Sequence, residues 1–361
     1  MPFADEEVTA PHSVSIVVPV YTGEKSLSRL VDEIRPLVHG IRTPSGHQLR
    51  VVELILVHDH GPDLSEDVIR HLSSELSFIR PIWLSKNFGQ HAATIAGMSS
   101  TCGDWIVTMD EDGQFNPIDI ARMLDVAMNR AAQLVYAVPV NDPPHGILRN
   151  IASTAAKFIA SRLLADVNIG RYSSFRLMLG EVGRSIAAYV GPGVYLDVAL
   201  AWGFGSIELC PVDFRTEYAR PSGYNLRKLL SHFWRLVITA GPRPLRVVSI
   251  TGMAAAIAAI VVAVVLSIER LTGRITVPGW TSLAIIVLFL GGLNLIALGI
   301  IAEYVSAAVG MAMGKPLYLI TTDPRLSPLG RETTQDTSID RLSEQNRLSE
   351  QSGAFRTDEP R

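Results

Sequence analysis

The stretch Trp105-Ile106-Val107-Thr108-Met109, followed at once by Asp110-Glu111-Asp112-Gly113-Gln114, decides how this 361-residue chain is to be read. Its first half has the length and the predominantly apolar character of a strand buried on both faces. Its second half turns abruptly acidic. Similar aliphatic runs occupy 14–20, 51–57, 81–84 and 134–140, and helix-like stretches lie between them at 25–38, 64–76, 91–100 and 118–130. Alternation of this kind predicts an open α/β sheet with helices on both faces. Ligands of such sheets bind beyond the carboxyl ends of the strands.

The residues just past each strand are therefore the candidate site. After the first run come Pro19-Val20-Tyr21-Thr22-Gly23-Glu24, after the second His58-Asp59-His60-Gly61-Pro62-Asp63, and after the fourth Asp110-Glu111-Asp112-Gly113-Gln114. Oxygen ligands at three strand ends suit a metal-bridged substrate that carries phosphate. Asp110 and Asp112 share a side if the chain there is extended. Mg2+ or Mn2+ prefers such hard oxygens and would neutralise a diphosphate leaving group. The same carboxylates also suit caps for a following helix. His58 and His60 read as solvated turn histidines, because neighbouring turn residues diverge and no further histidine pattern accompanies them.

Hydrophobic residues make up 48% of the chain and charged ones 19%, below the roughly 25% of an ordinary soluble protein. Aromatics are only 7%, so the surplus is aliphatic. This excludes a disordered chain and argues against a fully soluble enzyme. The net charge of −3 gives no reason to expect a nucleic-acid partner. Cys102 and Cys210 are too few for a disulfide framework or a cysteine zinc site. The polar, acidic start does not read as a signal peptide.

The surplus lies in 247–268 and 275–302, neither of which holds a charged residue. At about 1.5 Å per helical residue, each can cross a hydrocarbon core of roughly 30 Å. Arg220, Arg227, Lys228, Arg235, Arg243 and Arg246 precede the first run, and only Arg270 and Arg274, beside Glu269, lie between the two. The positive-inside rule then places the N-terminal part and the tail in the cytoplasm. Leu226, Leu229, Leu230, Phe233, Trp234 and Val237 recur at helical spacing opposite Arg227, Lys228, His232 and Arg235. That segment either lies in the membrane surface or packs on the soluble domain. Gly291, Gly292 and Gly299, with Asn294, permit close helix approach and a homo-oligomer. The polar stretch after 322, with Arg341-Leu342-Ser343-Glu344-Gln345 repeated at 347–351, reads as a disordered tail.

With these residues in view, the sequence resembles the family-2 glycosyltransferases of the GT-A fold. More narrowly, it is similar to the membrane-anchored polyprenyl-phosphate glycosyltransferases, which include the bactoprenol glucosyltransferases and dolichol-phosphate mannose synthases. The resemblance runs from about Ser13 to Leu319. It is densest at Val17-Val18-Pro19-Val20-Tyr21, Leu84-Ser85-Lys86-Asn87-Phe88-Gly89, the Asp110–Gln114 stretch and Phe175-Arg176-Leu177-Met178. It continues at Leu288-Phe289-Leu290-Gly291-Gly292, Gly299-Ile300-Ile301-Ala302-Glu303-Tyr304 and Lys315-Pro316-Leu317-Tyr318-Leu319.

The resemblance implies a flexible 1–12, a GT-A (Rossmann-like, mostly parallel) catalytic domain over 13–220, and amphipathic juxtamembrane helices over 221–244. Two transmembrane helices (about 247–268 and 278–304, within 245–310) would follow, then a cytoplasmic return segment over 311–322 and a disordered 323–361. It assigns Pro19, Tyr21, Glu24 and Asp59 to the nucleoside, with Asp59 on the base, and Lys86 to the neighbourhood of the nucleotide. Asp110, Asp112 and Gln114 would hold Mg2+ or Mn2+ on the diphosphate, with Glu111 in the same nucleotide-sugar loop. Arg176 would meet a phosphate, with Ser174, Arg215 and Arg220 on the acceptor side.

Some positions depart from the family pattern. Ser174 stands where bactoprenol glucosyltransferases carry a proposed base, and Asp197 is a candidate substitute for it or a helix cap. In the family's Arg-x-x-Gly-x-Ser-Lys segment, Glu217 and Arg220 replace Arg and Gly, and Gly223 follows Ser222. Thr22-Gly23 leaves ribose contacts to Glu24. The implied activity is inverting transfer of a sugar from a nucleotide-diphosphate sugar, a UDP-hexose, to undecaprenyl or a similar polyprenyl phosphate. Its place would be the cytoplasmic leaflet of a bacterial inner membrane. Transfer to another membrane lipid, and a degenerate sugar-nucleotide-binding anchor without turnover, are the alternatives.

Overall fold

A strand that is apolar at nearly every position must be covered on both faces. In β1 (His12–Val20), Val14, Ile16, Val17, Val18 and Val20 are all fully buried. The computed structural model describes residues 10–140, 173–191, 194–215, 243–272, 279–314 and 316–328. After β1 come α1 (Leu27–Val38), β2 (Ile41–Arg42), β3 (Gln48–His58), α2 (Ser65–Glu75), β4 (Ile79–Leu84), α3 (Gln90–Ser99), β5 (Trp105–Thr108), α4 (Ile120–Arg130) and β6 (Leu134–Pro139). Further on lie β7 (Arg176–Leu179), α5 (Gly180–Tyr189), α6 (Leu196–Gly203), β8 (Ile207–Val212), the long helices α7 (Arg243–Leu271) and α8 (Trp280–Ala312), and β9 (Ile320–Thr321).

Among the described residues the strands form one sheet in the order β8-β6-β7-β5-β1-β3-β4-β9, with β2 on β3. Side chains alternate between the two faces, as a pleated strand requires. Val14, Ile16, Val18 and Val20 join Leu54 and Leu56 of β3 in a core covered by Leu30 and Ile34 of α1 and Leu124 of α4. Val17, Ile55 and Val57 face the opposite core, covered by Ile95 and Met98 of α3 and by Leu196 and Leu200 of α6. The strand and helix ranges read from sequence differ from these by a few residues at their ends.

The sheet is mixed and mostly parallel, as expected, with β8 also parallel to β6 at the far edge. β1, β3, β4 and β5 are parallel, but β7 is antiparallel to both β5 and β6, and β9 is antiparallel to β4. The direction of β7 follows from where the chain enters. Arg176 lies opposite Thr108, at the carboxyl end of β5, so β7 runs back toward the amino edge. The result is a GT-A-like α/β fold.

The first apolar run near the C-terminus lies in α7 and the second is helical from Trp280 on, and α7 and α8 contact each other. One described segment, Phe289–Gly310, is long and apolar enough to cross a membrane. The apolar run of α7 is shorter, Val248–Val262, and includes Ser249, Thr251 and Gly252. Residues 216–242, which hold Arg220 and most of the segment expected to form amphipathic helices, lie outside the described residues. Residues 323–328, within the stretch expected to be a disordered tail, are among the described residues. Asp323 accepts a hydrogen bond from the Arg325 amide at 3.0 Å and opens a short 3-10 turn, Pro324–Leu326.

Gly97 is where α3 comes closest to the sheet. A Cβ there would overlap Val17 and come within 3.0 Å of Val57. Helix propensity favours alanine over glycine by at most about 1 kcal/mol, whereas overpacking costs about 1–3 kcal/mol. Gly97→Ala is therefore expected to lower the thermal midpoint of the detergent-solubilised protein, and a raised midpoint would contradict this packing.

Candidate active site

The parallel neighbours β5, β1 and β3 deliver their carboxyl ends to one edge of the sheet. There they form a cleft of about 320 Å³. Pro19, Val20 and Tyr21 line it from β1, Asp59 from β3, and Asp110, Glu111 and Asp112 from β5, while Asn87, Gly89 and Gln90 close the side beyond β4. Loop packing is tight. The Asp59 amide donates to the Val20 carbonyl at 2.8 Å, and a Cβ on Gly61 would run into the Tyr21 carbonyl.

Two carboxylates hold the loops in place. Glu111 accepts the backbone N–H groups of Tyr21 (3.0 Å) and Thr22 (2.9 Å), stapling the β5 loop to the β1 loop. Asp59, 3% exposed, accepts the amides of Phe88 at 2.7 Å and Gly89 at 2.8 Å. Burial pushes the Asp59 carboxyl above its ordinary pKa, and the two amides oppose that shift. Gly89 has φ 91°, a left-handed backbone that favours glycine, and this lets both amides point at one carboxylate.

Asp110 is held on both of its oxygens. Ser174 Oγ donates to Oδ2 and Gln90 Nε2 donates to Oδ1, each at 2.6 Å. Burial raises the Asp110 pKa and the Asp112 carboxylate adds to that, while Ser174, Arg176 and Gln90 act the other way. Ser174 is itself fixed by its carbonyl, which accepts Thr108 Oγ1 at 2.8 Å. Asp112 Oδ1 accepts the Gln114 amide at 3.0 Å. Among the described residues no group of three or more His, Cys, Asp or Glu side chains is placed to hold a metal. Asp110 and Asp112 nevertheless offer hard oxygens on one wall. They fit a divalent ion that draws the rest of its shell from water and substrate phosphate rather than from a protein cage.

Several candidates lie elsewhere. Arg176, 4% exposed, forms an ion pair with Asp197, whose Oδ1 also accepts the Tyr136 hydroxyl at 3.0 Å. Arg176 does not line the cleft. Asp197 does not cap α6, because Tyr195 holds the N-cap position and Asp197 lies in the first turn. Glu24 faces the loop after β3, with Oε2 accepting the Leu64 amide at 3.4 Å, and is not a cleft residue. Lys86 is exposed, its Nζ 5.2 Å from the Phe88 ring centroid. Arg215 pairs with Glu33 of α1 at 2.8 Å, and its amide donates to the Gln114 carbonyl. His60 is exposed but His58 is not. The His58 ring packs 5.4 Å from that of Trp83, and its buried Nε2 has no hydrogen-bond partner among the described residues. Gln90 went unread in the sequence, although its place as the first residue of a helix beyond a strand end was the available signal.

The glycosyl transferase family 2 profile matches residues 15–181, a range that includes every carboxylate lining the cleft. The chain carries a glycosyltransferase family 2 domain and is an enzyme of that class. It is 26% identical over 318 residues to the bactoprenol glucosyl transferase of Shigella phage SfX, covering 85% of this chain and 98% of that protein. It is also 26% identical over 316 residues to the undecaprenyl-phosphate 4-deoxy-4-formamido-L-arabinose transferase of Yersinia enterocolitica, covering 85% and 92%. Among solved structures, glucosyl-3-phosphoglycerate synthase from Mycobacterium tuberculosis, in complex with Mn2+, UDP and phosphoglyceric acid, gives a TM-score of 0.46 at 17% identity. That match covers 64% of this chain and 78% of the other. So loose a match says nothing of this chain's ligands.

Two outcomes follow from the buried charges. Asp197→Ala is expected to cost about 3–5 kcal/mol in urea unfolding, because Arg176 is left buried without its counter-ion. The apolar pair Arg176→Met/Asp197→Leu should cost less, and a double variant worse than the single would contradict this. His58 is pushed below the ordinary imidazole pKa by burial, with Glu66 and Asp63 raising it and His60 and Arg70 lowering it. The unfolded chain therefore binds the proton more readily, and stability falls as pH drops below the ordinary imidazole value. His58→Phe should flatten that acidic limb of the thermal midpoint, and an unchanged limb would assign it to other groups.

Proposed function

We propose that the protein transfers a sugar from a nucleotide-diphosphate sugar, a UDP-hexose, to polyprenyl phosphate at the cytoplasmic leaflet of a bacterial inner membrane. The observation that carries this is length. Relatives named for bactoprenol and undecaprenyl-phosphate transfer match 85% of the chain. That is more than the family-2 profile alone, which ends at residue 181. The apolar Phe289–Gly310 segment supports a lipid acceptor, and α7 and α8 together would be the anchor. Gly291, Gly292 and Gly299 would let copies associate.

In this function Pro19, Tyr21 and Asp59 take the nucleoside, and Asn87 and Gln90 take the side toward the diphosphate. Asp110, Asp112 and Gln114 would hold Mg2+ or Mn2+, whose charge when bound stabilises the departing diphosphate. Ser174 and Gln90 keep Asp110 oriented. A phosphate monoester, with second pKa about 6, is already an anionic nucleophile near neutral pH. Its oxygen bonds to the anomeric carbon as the bond from that carbon to the diphosphate oxygen breaks. The electron pair leaves with the nucleoside diphosphate, and a single displacement inverts the centre. No proton has to be removed, which suits the serine at 174 and an Asp197 already engaged by Arg176. Positioning and charge neutralisation carry the rate.

The test is incubation of the purified protein in detergent with labelled UDP- or GDP-sugars, polyprenyl phosphate, and Mg2+ or Mn2+. Label is expected in polyprenyl-phosphate-sugar and not in competing glycerolipid. Asp112→Asn should lose at least about 100-fold in turnover, on the scale of removing one electrostatic stabiliser. Lipid-linked label from no donor, or full activity in Asp112→Asn, would overturn the proposal.

A further inference from the structure

Beyond the end of α8 the chain returns to the catalytic sheet. β9 pairs with the carboxyl end of β4, placing Thr321 opposite Trp83 and Ile320 opposite Leu84. The amide of Ser85, the first residue past β4, donates to the Leu319 carbonyl at 3.0 Å. Leu317 and Tyr318 pack against the core beneath α3, and the Tyr318 hydroxyl lies 2.9 Å from Ser99 Oγ at that helix's far end. Asp323 then receives the Arg70 guanidinium in a bidentate pair, Nε to Oδ2 at 2.8 Å and Nη2 to Oδ1 at 2.7 Å. That hydrogen bond is the main reason the Asp323 carboxyl sits below its ordinary pKa. Arg70 also lies 4.9 Å from the centroid of the Trp83 ring and pairs with Glu66 and Asp67 of its own helix, and Arg325 pairs with Asp67.

None of residues 316–328 lines the cleft, yet their contacts surround one of its walls. Residues 85–89 carry Asn87 and Gly89. This wall is held from inside by Asp59, through the amides of Phe88 and Gly89, and from outside by Leu319, through the amide of Ser85. The strand that precedes it owes its outer pairing to β9, without which β4 would be an open edge. Isolated surface ion pairs contribute little. The Arg70–Asp323 pair differs in being bidentate, largely shielded (17% and 15% exposed) and stacked on a buried tryptophan.

We propose that residues 316–328 form a strap that positions the 85–89 wall of the nucleotide cleft, with Asp323 and Tyr318 as positioning residues, so that the end of helix α8 sets the cleft's shape. Its effect on ligand binding rests on the nucleotide-sugar function proposed above, while its effect on the wall does not.

The test is hydrogen exchange of the full-length protein in detergent, joined to calorimetric titration with UDP, for wild type, Asp323→Ala, Asp323→Glu and Tyr318→Phe. In Asp323→Ala, the amides of Ser85, Phe88 and Gly89 are expected to exchange about tenfold faster, through local opening, with β1 unchanged. UDP should bind about fivefold more weakly, a modest loss typical of a residue that acts at a distance. Asp323→Glu should recover most of both. Tyr318→Phe keeps the ring and loses only the hydroxyl, so it should shift the same amides less and remains informative if Asp323→Ala does not fold. Unchanged exchange at these amides in both variants, or acceleration of β1 alongside them, would overturn the strap. Absence of UDP binding to wild type would instead count against the nucleotide function, with exchange still deciding the strap.

Discussion

β1 is paired on both sides by parallel strands and buried on both faces, and most of the rest of the molecule is arranged around that fact. A parallel ladder cannot be closed by a tight turn, so each connection has to cross a face of the sheet as a helix. α1, α2 and α3 supply the apolar cover that β1 and β3 need. The ladder also fixes where the strands stop. Val20 lies opposite His58 and Val17 opposite Thr108, so residues 19–21, 59 and 110–112 meet although nearly a hundred positions separate them in the chain. Glu111 then locks two of those loops together through the Tyr21 and Thr22 amides. A carboxylate spent on backbone amides thus joins the β5 loop to the β1 loop at the mouth of the cleft.

The charges behind the cleft follow a second rule, that a buried ion needs both a partner and hydrogen bonds. Arg176 enters on β7, beside Thr108 and Tyr136, and would be intolerable there alone. Asp197 neutralises it and Tyr136 satisfies the carboxylate. The segment leading into the same strand brings Ser174 to Asp110. Reversal of β7 within an otherwise parallel region therefore has a purpose at the cleft. It delivers a hydroxyl donor to a carboxylate that burial would otherwise push toward its neutral form.

Much of this was legible in the sequence, for physical reasons that can be named. Runs as nearly apolar as Val14–Val20 suit central strands, and the strand-end rule then points to Asp59 and Asp110. Four things were hidden. β7 and β9 have only 4 and 2 residues, too short for a periodic signal, and their directions depend on where the chain enters the sheet. The fates of Glu24, Arg176 and Arg215 turn on which neighbour captures each charge first, here the Leu64 amide, Asp197 and Glu33. His58 looked like a turn residue because Asp59 and His60 follow it, whereas it is the last buried residue of β3. The polar character of 323–328 concealed an ordered strap, because its order comes from Arg70 and Trp83, some 250 positions away.

The central claim is that the edge formed by β5, β1 and β3 is where the nucleotide sugar binds. Hydrogen exchange of the full-length protein with and without UDP tests it most directly. Slower exchange on adding UDP, confined to amides of 19–22, 59–61, 87–90 and 110–114, is the predicted result. Protection that appears only elsewhere, with these four loops exchanging as before, would contradict it.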